Sequence, residues 1–301
     1  MASSTAAVFQ IPNEVTEHSL TYLHPMDVAR FSQTCRLAHT LVYSPADQHL
    51  WRQLFLASFD DPRKAFDSRD ASFEYNWKGE LQRRARAELI AFNIEQRFDE
   101  KTFALETFVS IIWDALPVEP GVENKPSGSL EWVARVLHDS RILDTPVMRP
   151  DTKDTNQLTN RIRTYLALTL DKDTDEKSTA CLDSLRTRSR CQVYDLRNYR
   201  RETDYGPYLQ GGAVDWVHTE ATINVIQMNL RETRLWMGTR PPVGLEATRK
   251  YSVTGAADRA PADWACVEGT WRRFVSWMDY RYVLVALLST FPCLYQVHNM
   301  Q

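Results

Sequence analysis

The sequence predicts a mainly α-helical chain: an N-terminal three-helix unit followed by a larger α+β region. Three observations predict it. Apolar residues recur at three- and four-residue spacing through the first 55 residues and again between 78 and 170. Prolines divide the opening stretch into pieces about as long as short helices. From about residue 190 the pattern shifts to interleaved apolar residues and dense aromatics, which favour strands.

Pro12 sits where a first-turn proline is tolerated, because its missing N–H would be unpaired there anyway. Glu14 and Glu17 put carboxylates at the positive end of the helix dipole. Val15, Leu20 and Leu23 are apolar until His24-Pro25, where the residue before proline is pushed out of the helical region. Pro25 and Asp27 open a second helix with Val28, Phe31 and Cys35 as its stripe, and Leu37, Leu41 and Val42 continue as a third. Ser44-Pro45 stops it, and Ser44 is expected to cap the next helix. Leu50, Trp51, Leu54 and Phe55 form a fourth apolar face, ended by Asp60-Asp61-Pro62. Helices are expected over 78–97, 101–116, 129–143 and 157–170, separated by loops at 117–128 and 144–156, and 171–177 is a hydrophilic interruption. Cys191, Val193 and Asp195 alternate as a strand would, 206–212 reads as a turn and 216–230 as a helix. Residues 263–282, with Trp264, Trp271 and Trp277, favour strands. The expected organisation is therefore 8–57 and then 58–301, helical over 70–170 and mixed over 190–301.

Composition narrows the function. A chain of 301 residues suggests about two domains at ~150 residues each. Its 36 Lys and Arg against 39 Asp and Glu leave a net charge of -3, which argues against a general nucleic-acid coat. The five cysteines, Cys35, Cys181, Cys191, Cys266 and Cys293, form no CxxC pair. A zinc ribbon or thioredoxin-type site is thereby disfavoured, and reduced thiols of a cytoplasmic or nuclear protein are expected. The opening MASSTAAVFQ lacks the basic and apolar regions of a signal peptide. The last apolar run, 282–297, is broken by Ser289, Thr290 and Pro292. It is shorter than the ~20 residues a membrane span needs, so a buried strand or helix is expected there and no membrane contact.

The first 55 residues carry the strongest motif. Ile11-Pro12-Asn13-Glu14-Val15, then Leu20 and Leu23, then His24-Pro25-Met26-Asp27-Val28, then Phe31-Ser32-Gln33-Thr34-Cys35-Arg36, then Leu50-Trp51-Arg52-Gln53-Leu54 together resemble an F-box. Thr16 and Ser19 depart from it, standing where that family more often has apolar residues. A unit of ~45 residues has little core of its own, so part of its apolar surface should pack on a partner or on the downstream domain. The resemblance implies that the partner is the Skp adaptor of a cullin–RING ubiquitin ligase. By position, Ile11, Pro12, Glu14, Val15, Leu20, Leu23 and Pro25 would lead that contact, and Val28, Phe31 and Cys35 would pack the bundle and complete the surface. Trp51 is expected to lock the unit onto the next helices.

A second likeness extends over the rest. The segment from Asp263-Trp264-Ala265-Cys266 through Gly269-Thr270-Trp271-Arg272-Arg273, with Asp279-Tyr280-Arg281, Tyr205-Gly206-Pro207-Tyr208 and Asp215-Trp216-Val217-His218, resembles the C-terminal half of many fungal F-box proteins. Gly269-Thr270-Trp271 is also similar to the first strand of a small barrel. Only about 30 residues remain after it, too few to close one, so either the barrel is absent or the chain is truncated.

What the resemblance implies is a substrate-receptor subunit of a Skp–cullin–F-box ubiquitin ligase. Such a subunit does no chemistry, needs no metal or organic cofactor, and acts by raising the local concentration of a target. Enzyme motifs are missing: no GxSxG, GxxxxGK[ST] or HExxH occurs. Asp171-Lys172-Asp173-Thr174-Asp175 mimics a calcium loop but has Glu176 and Leu182 where Gly and Glu are required. On an extended segment Arg186, Arg188 and Arg190 would share one face and could hold a phosphate or an acidic peptide of the substrate. The plainer reading is an exposed basic loop balanced by Asp183, Asp195 and Glu202. Two other functions stay open: a non-ligase binding module using the same F-box, and a small-ligand or enzymatic role for the region around Trp264, Trp271 and Trp277.

Overall fold

The computed structural model describes residues 11–45, 47–64, 75–118, 125–140, 142–143, 153–166, 176–232, 244–252, 263 and 267–268, with backbone alone for 176–184 and 228–232. Four short helices come first: α1 (Asn13–Leu20), α2 (Pro25–Ser32), α3 (Arg36–Tyr43) and α4 (His49–Leu56). Pro12 takes the cap position of α1, and its carbonyl accepts from the N–H groups of Val15 and Thr16 at 3.1 and 3.2 Å. His24 caps α2 through Nδ1, which accepts from the Met26 N–H at 3.3 Å. Cys35 caps α3, its Sγ accepting from the Ala38 N–H at 3.4 Å. Ser44 was expected to cap the next helix and does not. It ends α3, and α4 starts after Gln48. The Gln48 side-chain oxygen instead accepts from the Lys78 N–H at 3.0 Å.

Helices of two turns are not stable alone in water; burial holds them. Thr16 and Leu20 are buried on α1, Val28 on α2, and Ala38 and Val42 on α3. α1 packs on α3 and α4, and α2 on α3. Of the expected stripe of α3, Val42 is buried and Leu41 half-buried, while Leu37 faces outward at 51 % exposure and Ala38 takes the buried place a turn before Val42.

α4 buries Leu50, Trp51, Leu54 and Phe55 and ties the opening helices to α5 (Trp77–Phe92). Trp51 stacks with Tyr43 at 5.5 Å between ring centroids, and the Lys78 ammonium lies 4.8 Å from the Tyr43 ring and 5.8 Å from the Trp51 ring. Phe55 lies 5.4 Å from Trp77 and 5.0 Å from Phe59. Arg84 of α5 places its guanidinium 4.5 Å from the Phe55 ring and 4.3 Å from that of Phe59. Its Nε donates to Glu80 Oε1 at 3.0 Å. From Phe59 the aromatic contacts pass to Trp132 at 5.2 Å and on to Phe108 at 5.9 Å. This joins α4 to α7 (Gly128–Asp139) and α6 (Lys101–Trp113).

Asp60 fixes the start of α7. Its carboxylate accepts from the Ser127 hydroxyl and, at 3.0 Å, from the Gly128 N–H, while its own N–H donates to Ser129 Oγ at 3.1 Å. Glycine suits position 128, because a Cβ there would lie 3.2 Å from the Ser58 carbonyl oxygen. α5 ends at Phe92, short of the expected residue 97. Asn93 stops it, and its side-chain amide donates back to the Leu89 carbonyl at 2.8 Å. One compact unit takes residues 1–116 and 125–144.

The other unit takes 117–124 and 145–301. Its described helices are α8 (Lys153–Leu166), α9 (Glu176–Tyr194) and α10 (Trp216–Glu232), and α10 packs on both of the others. The expected α+β character of this region is not supported. Among the described residues it is helical, with one isolated antiparallel bridge between Tyr208 and Val214. Cys191 and Val193, expected in a strand, lie on α9. The stretch that includes them carries Arg186, Arg188, Arg190 and Gln192, residue types that suit a helix. Ser189, half a turn earlier, is buried against α10 and accepts from the Asn224 amide at 3.2 Å. The strands expected over 263–282 lie outside the described residues, apart from Asp263, Val267 and Glu268.

Polar residues share the α8–α9–α10 seam. The Gln157 amide donates to Asp215 Oδ1 at 3.0 Å, and its oxygen accepts from the Trp216 N–H at 2.7 Å. Glu220 of α10 is buried. Burial pushes its carboxyl above the usual carboxylate range, against the pull of the Arg163 and Arg188 guanidiniums.

Two outcomes test this packing. Phe55→Ala should destabilise the first unit by about 3–5 kcal/mol, as expected for a fully buried phenylalanine, seen as a lower denaturant midpoint at unchanged slope. The stabilising contribution of protonated Glu220 is complete below the ordinary carboxylate pKa and is lost as pH rises through the raised one. Glu220→Gln should therefore raise the melting temperature at pH 8, by ~2–4 °C for each kcal/mol recovered. The gain should shrink as the pH is lowered towards the carboxylate range; a gain independent of pH would contradict this account.

Candidate functional site

α1 is amphipathic in an unusual sense: both of its faces carry apolar residues. Val15 and Ser19, four residues apart, form one exposed row of α1, with Ile11 ahead of the Pro12 cap and Leu23 in the turn after the helix. Ile11, Val15 and Leu23 are 44, 51 and 44 % exposed. The buried row carries Thr16 and Leu20. Pro12 and Glu14 are exposed beside the first row.

Pro25 opens α2 and is half-buried, Phe31 is half-buried on the same helix, and Val28 is fully buried inside the bundle. Cys35 is exposed at the start of α3. Leu20 and Val28 are thus core residues, and the exposed set is Ile11, Pro12, Glu14, Val15, Leu23 and Cys35. Thr16, a departure from the F-box pattern, sits in the core, where its hydroxyl donates to the Pro12 carbonyl at 3.4 Å. Ser19 faces water and donates to the Val15 carbonyl at 2.8 Å. It leaves a polar gap between Val15 and Leu23 on the exposed row.

Two exposed residues escaped the sequence reading. Leu37 projects from α3, and Tyr22 is 77 % exposed after α1, with its hydroxyl 3.3 Å from His18 Nε2. The i,i+4 relation of Ala38 and Val42 was the signal that could have placed Leu37 outside.

The proposed arginine face does not form. Arg186, Arg188 and Arg190 lie on α9, not on an extended segment. On a helix residues two apart point in nearly opposite directions. Arg188 is exposed, while Arg186 and Arg190 are half-buried. Trp264, Trp271 and Trp277 lie outside the described residues.

Other polar groups of the second unit form structural ties. The Tyr199 hydroxyl donates to the Val193 carbonyl at 2.7 Å, so the buried His218 donates from Nε2 to the Tyr199 oxygen at 3.3 Å. Burial raises the Tyr199 pKa. The Arg197 guanidinium beside Asp195 holds its carboxyl at about 2. Among the described residues no group of three His, Cys, Asp or Glu is arranged to hold a metal ion. Nor is any helix there long and apolar enough to cross a membrane.

No curated protein and no solved structure matches the chain. The family model of the F-box domain matches residues 8–47, the segment that contains α1, α2, α3 and the exposed row. With this match residues 8–47 are identified as an F-box domain.

Proposed function

We propose that the chain is a substrate-receptor subunit of a Skp–cullin–F-box ubiquitin ligase. One observation carries the reading: within the F-box match, Val15 stands exposed on α1, and Ile11 and Leu23 stand exposed just before and just after it, while the other face of the helix is already buried. A Skp-type adaptor is the partner that this row would take. The second unit would then hold the target, and the likeness of its sequence to the C-terminal half of fungal F-box proteins supports a lineage-specific target domain. The chain itself would supply position rather than chemistry, raising the target's concentration near the ubiquitin-loaded partner.

Co-expression with a Skp adaptor and subsequent pull-down tests the reading. Buried apolar anchors at the centre of an interface typically contribute over ~1 kcal/mol each. A chain carrying Pro12→Ser and Val15→Asp should therefore lose adaptor binding by at least about tenfold. Both side chains are exposed, so the melting temperature should hold. A folded wild-type chain that fails to bind the adaptor would overturn the proposal. Co-purification of a cullin with the pair separates a ligase subunit from an F-box module that serves another assembly.

A further inference from the structure

We propose that the hairpin at 207–215 receives an extended, uncharged stretch of a target protein by strand addition. This deepens the substrate-receptor reading and rests on it.

The backbone supplies the first argument. The Leu209 N–H donates to the Ala213 carbonyl at 2.7 Å, and the Asp215 N–H to the Pro207 carbonyl at 2.8 Å. Tyr208 and Val214, paired between these bonds, therefore form the pair that does not exchange hydrogen bonds. Their N–H and C=O groups turn outward, and none has a hydrogen-bond partner among the described residues. Outward groups on a hairpin are a template for another extended chain.

The side chains supply the second. From Tyr205 to Val214 the sequence YGPYLQGGAV contains no charged residue. Tyr205, Tyr208 and Val214 are nevertheless 65, 41 and 37 % exposed. The outward groups of Tyr208 line one edge of the hairpin and those of Val214 the other; free edges are commonly guarded by lysine or another charge, and neither of these is. A charged segment would find no opposite charge along the edge and would lose hydration on docking. The edge is therefore matched by a neutral segment, whose backbone takes up the open donors and acceptors. Beside Tyr205, whose N–H donates to the Arg200 carbonyl at 2.9 Å, stand exposed Arg200, Arg201, Glu202 and Asp204. They place both signs of charge at the rim of an uncharged centre, as interfaces commonly do.

The hairpin is also held before any partner arrives. Asp204 and Tyr205 adopt left-handed backbone angles, φ 48° and 54°, which cost free energy in residues with a side chain. Gly211 and Gly212 supply the positive φ of the turn. The Tyr208 ring lies over Gly206, so closely that a Cβ there would come within 2.8 Å of it. Gln157 anchors the far end through Asp215 and Trp216. An ordered edge loses little entropy on binding.

Amide hydrogen exchange on the full chain tests this, with a short capped peptide of alternating Thr and Val as the probe. The peptide should slow exchange at the Tyr208 or Val214 amide by about tenfold or more, the worth of two backbone hydrogen bonds at an exposed edge. The same peptide with Glu in place of Val should bind more weakly. Tyr208→Lys with Val214→Lys should abolish the protection at an unchanged melting temperature, and Tyr208→Phe should retain it. No protection in the folded chain overturns the proposal. So does protection before any peptide is added, which would mean that this chain or a second copy already covers the edge. Adaptor pull-down by the lysine variant separates the two readings: binding there without peptide protection in the wild type rejects the hairpin alone, and peptide protection without adaptor binding rejects the ligase role.

Discussion

Phe55 is the point on which the first unit closes. It is fully buried, and rings or a guanidinium from Phe59, Tyr75, Trp77 and Arg84 surround it. The four opening helices are each eight residues long and have too little apolar area to fold alone. What they lack is supplied by α5, α6 and α7 through this side chain and its neighbours. Arg84 shows how closely the closure is made. It is buried between two phenylalanines and paired with Glu80, yet one of its terminal nitrogens has no hydrogen-bond partner among the described residues. Burial lowers its pKa against the Glu80 carboxylate. Contact with two aromatic faces offsets part of that cost.

This anchoring bears on function. A helix that presents apolar residues to water must be held from its other side, or it would turn them inward. α1 buries Thr16 and Leu20 against its neighbours and so leaves Ile11, Val15 and Leu23 outside. The closure around Phe55 and the clasp of Asp60 on the start of α7 hold the bundle behind that row. The second unit uses different means. Its helices meet through the polar residues Gln157, Ser189, Asn224, His218 and Glu220, beside an edge-on contact of Tyr165 with Trp216 at 5.8 Å. Such polar contacts fix register, because each side chain has a specific partner.

Much of the helical organisation could be read from spacing. Proline and cap residues located α1 and α2 to within a residue or so; the three-to-four period found α5, α6, α7, α8 and α10 but set their ends up to five residues off, α5 stopping at Phe92 rather than 97 and α8 starting at Lys153 rather than 157. Where the reading failed, the reason is physical. A run of alternating residues as short as 191–195 fits a strand and a helix equally well, and packing of α9 on α10 decided for the helix. That decision also undid the arginine face, since Arg186, Arg188 and Arg190 share a side only on an extended chain. Ser44 looked like a cap by residue type. The chain to Gln48 carried the start of α4 past it.

The sequence by itself determined the F-box, because its motif is a local order of prolines, apolar residues and Cys35-Arg36 within a few dozen positions. It also determined which segments have an apolar stripe. Tertiary structure decided which apolar residues lie inside. Leu20 and Val28 went to the core while Leu37 and Tyr22 went to the surface, and hydrophobicity is the same on both sides of that choice. It decided too that Thr16 is absorbed in the core whereas Ser19 interrupts the exposed row. Such assignments depend on which neighbouring helix covers which face, and that is set by contacts between residues far apart in the chain.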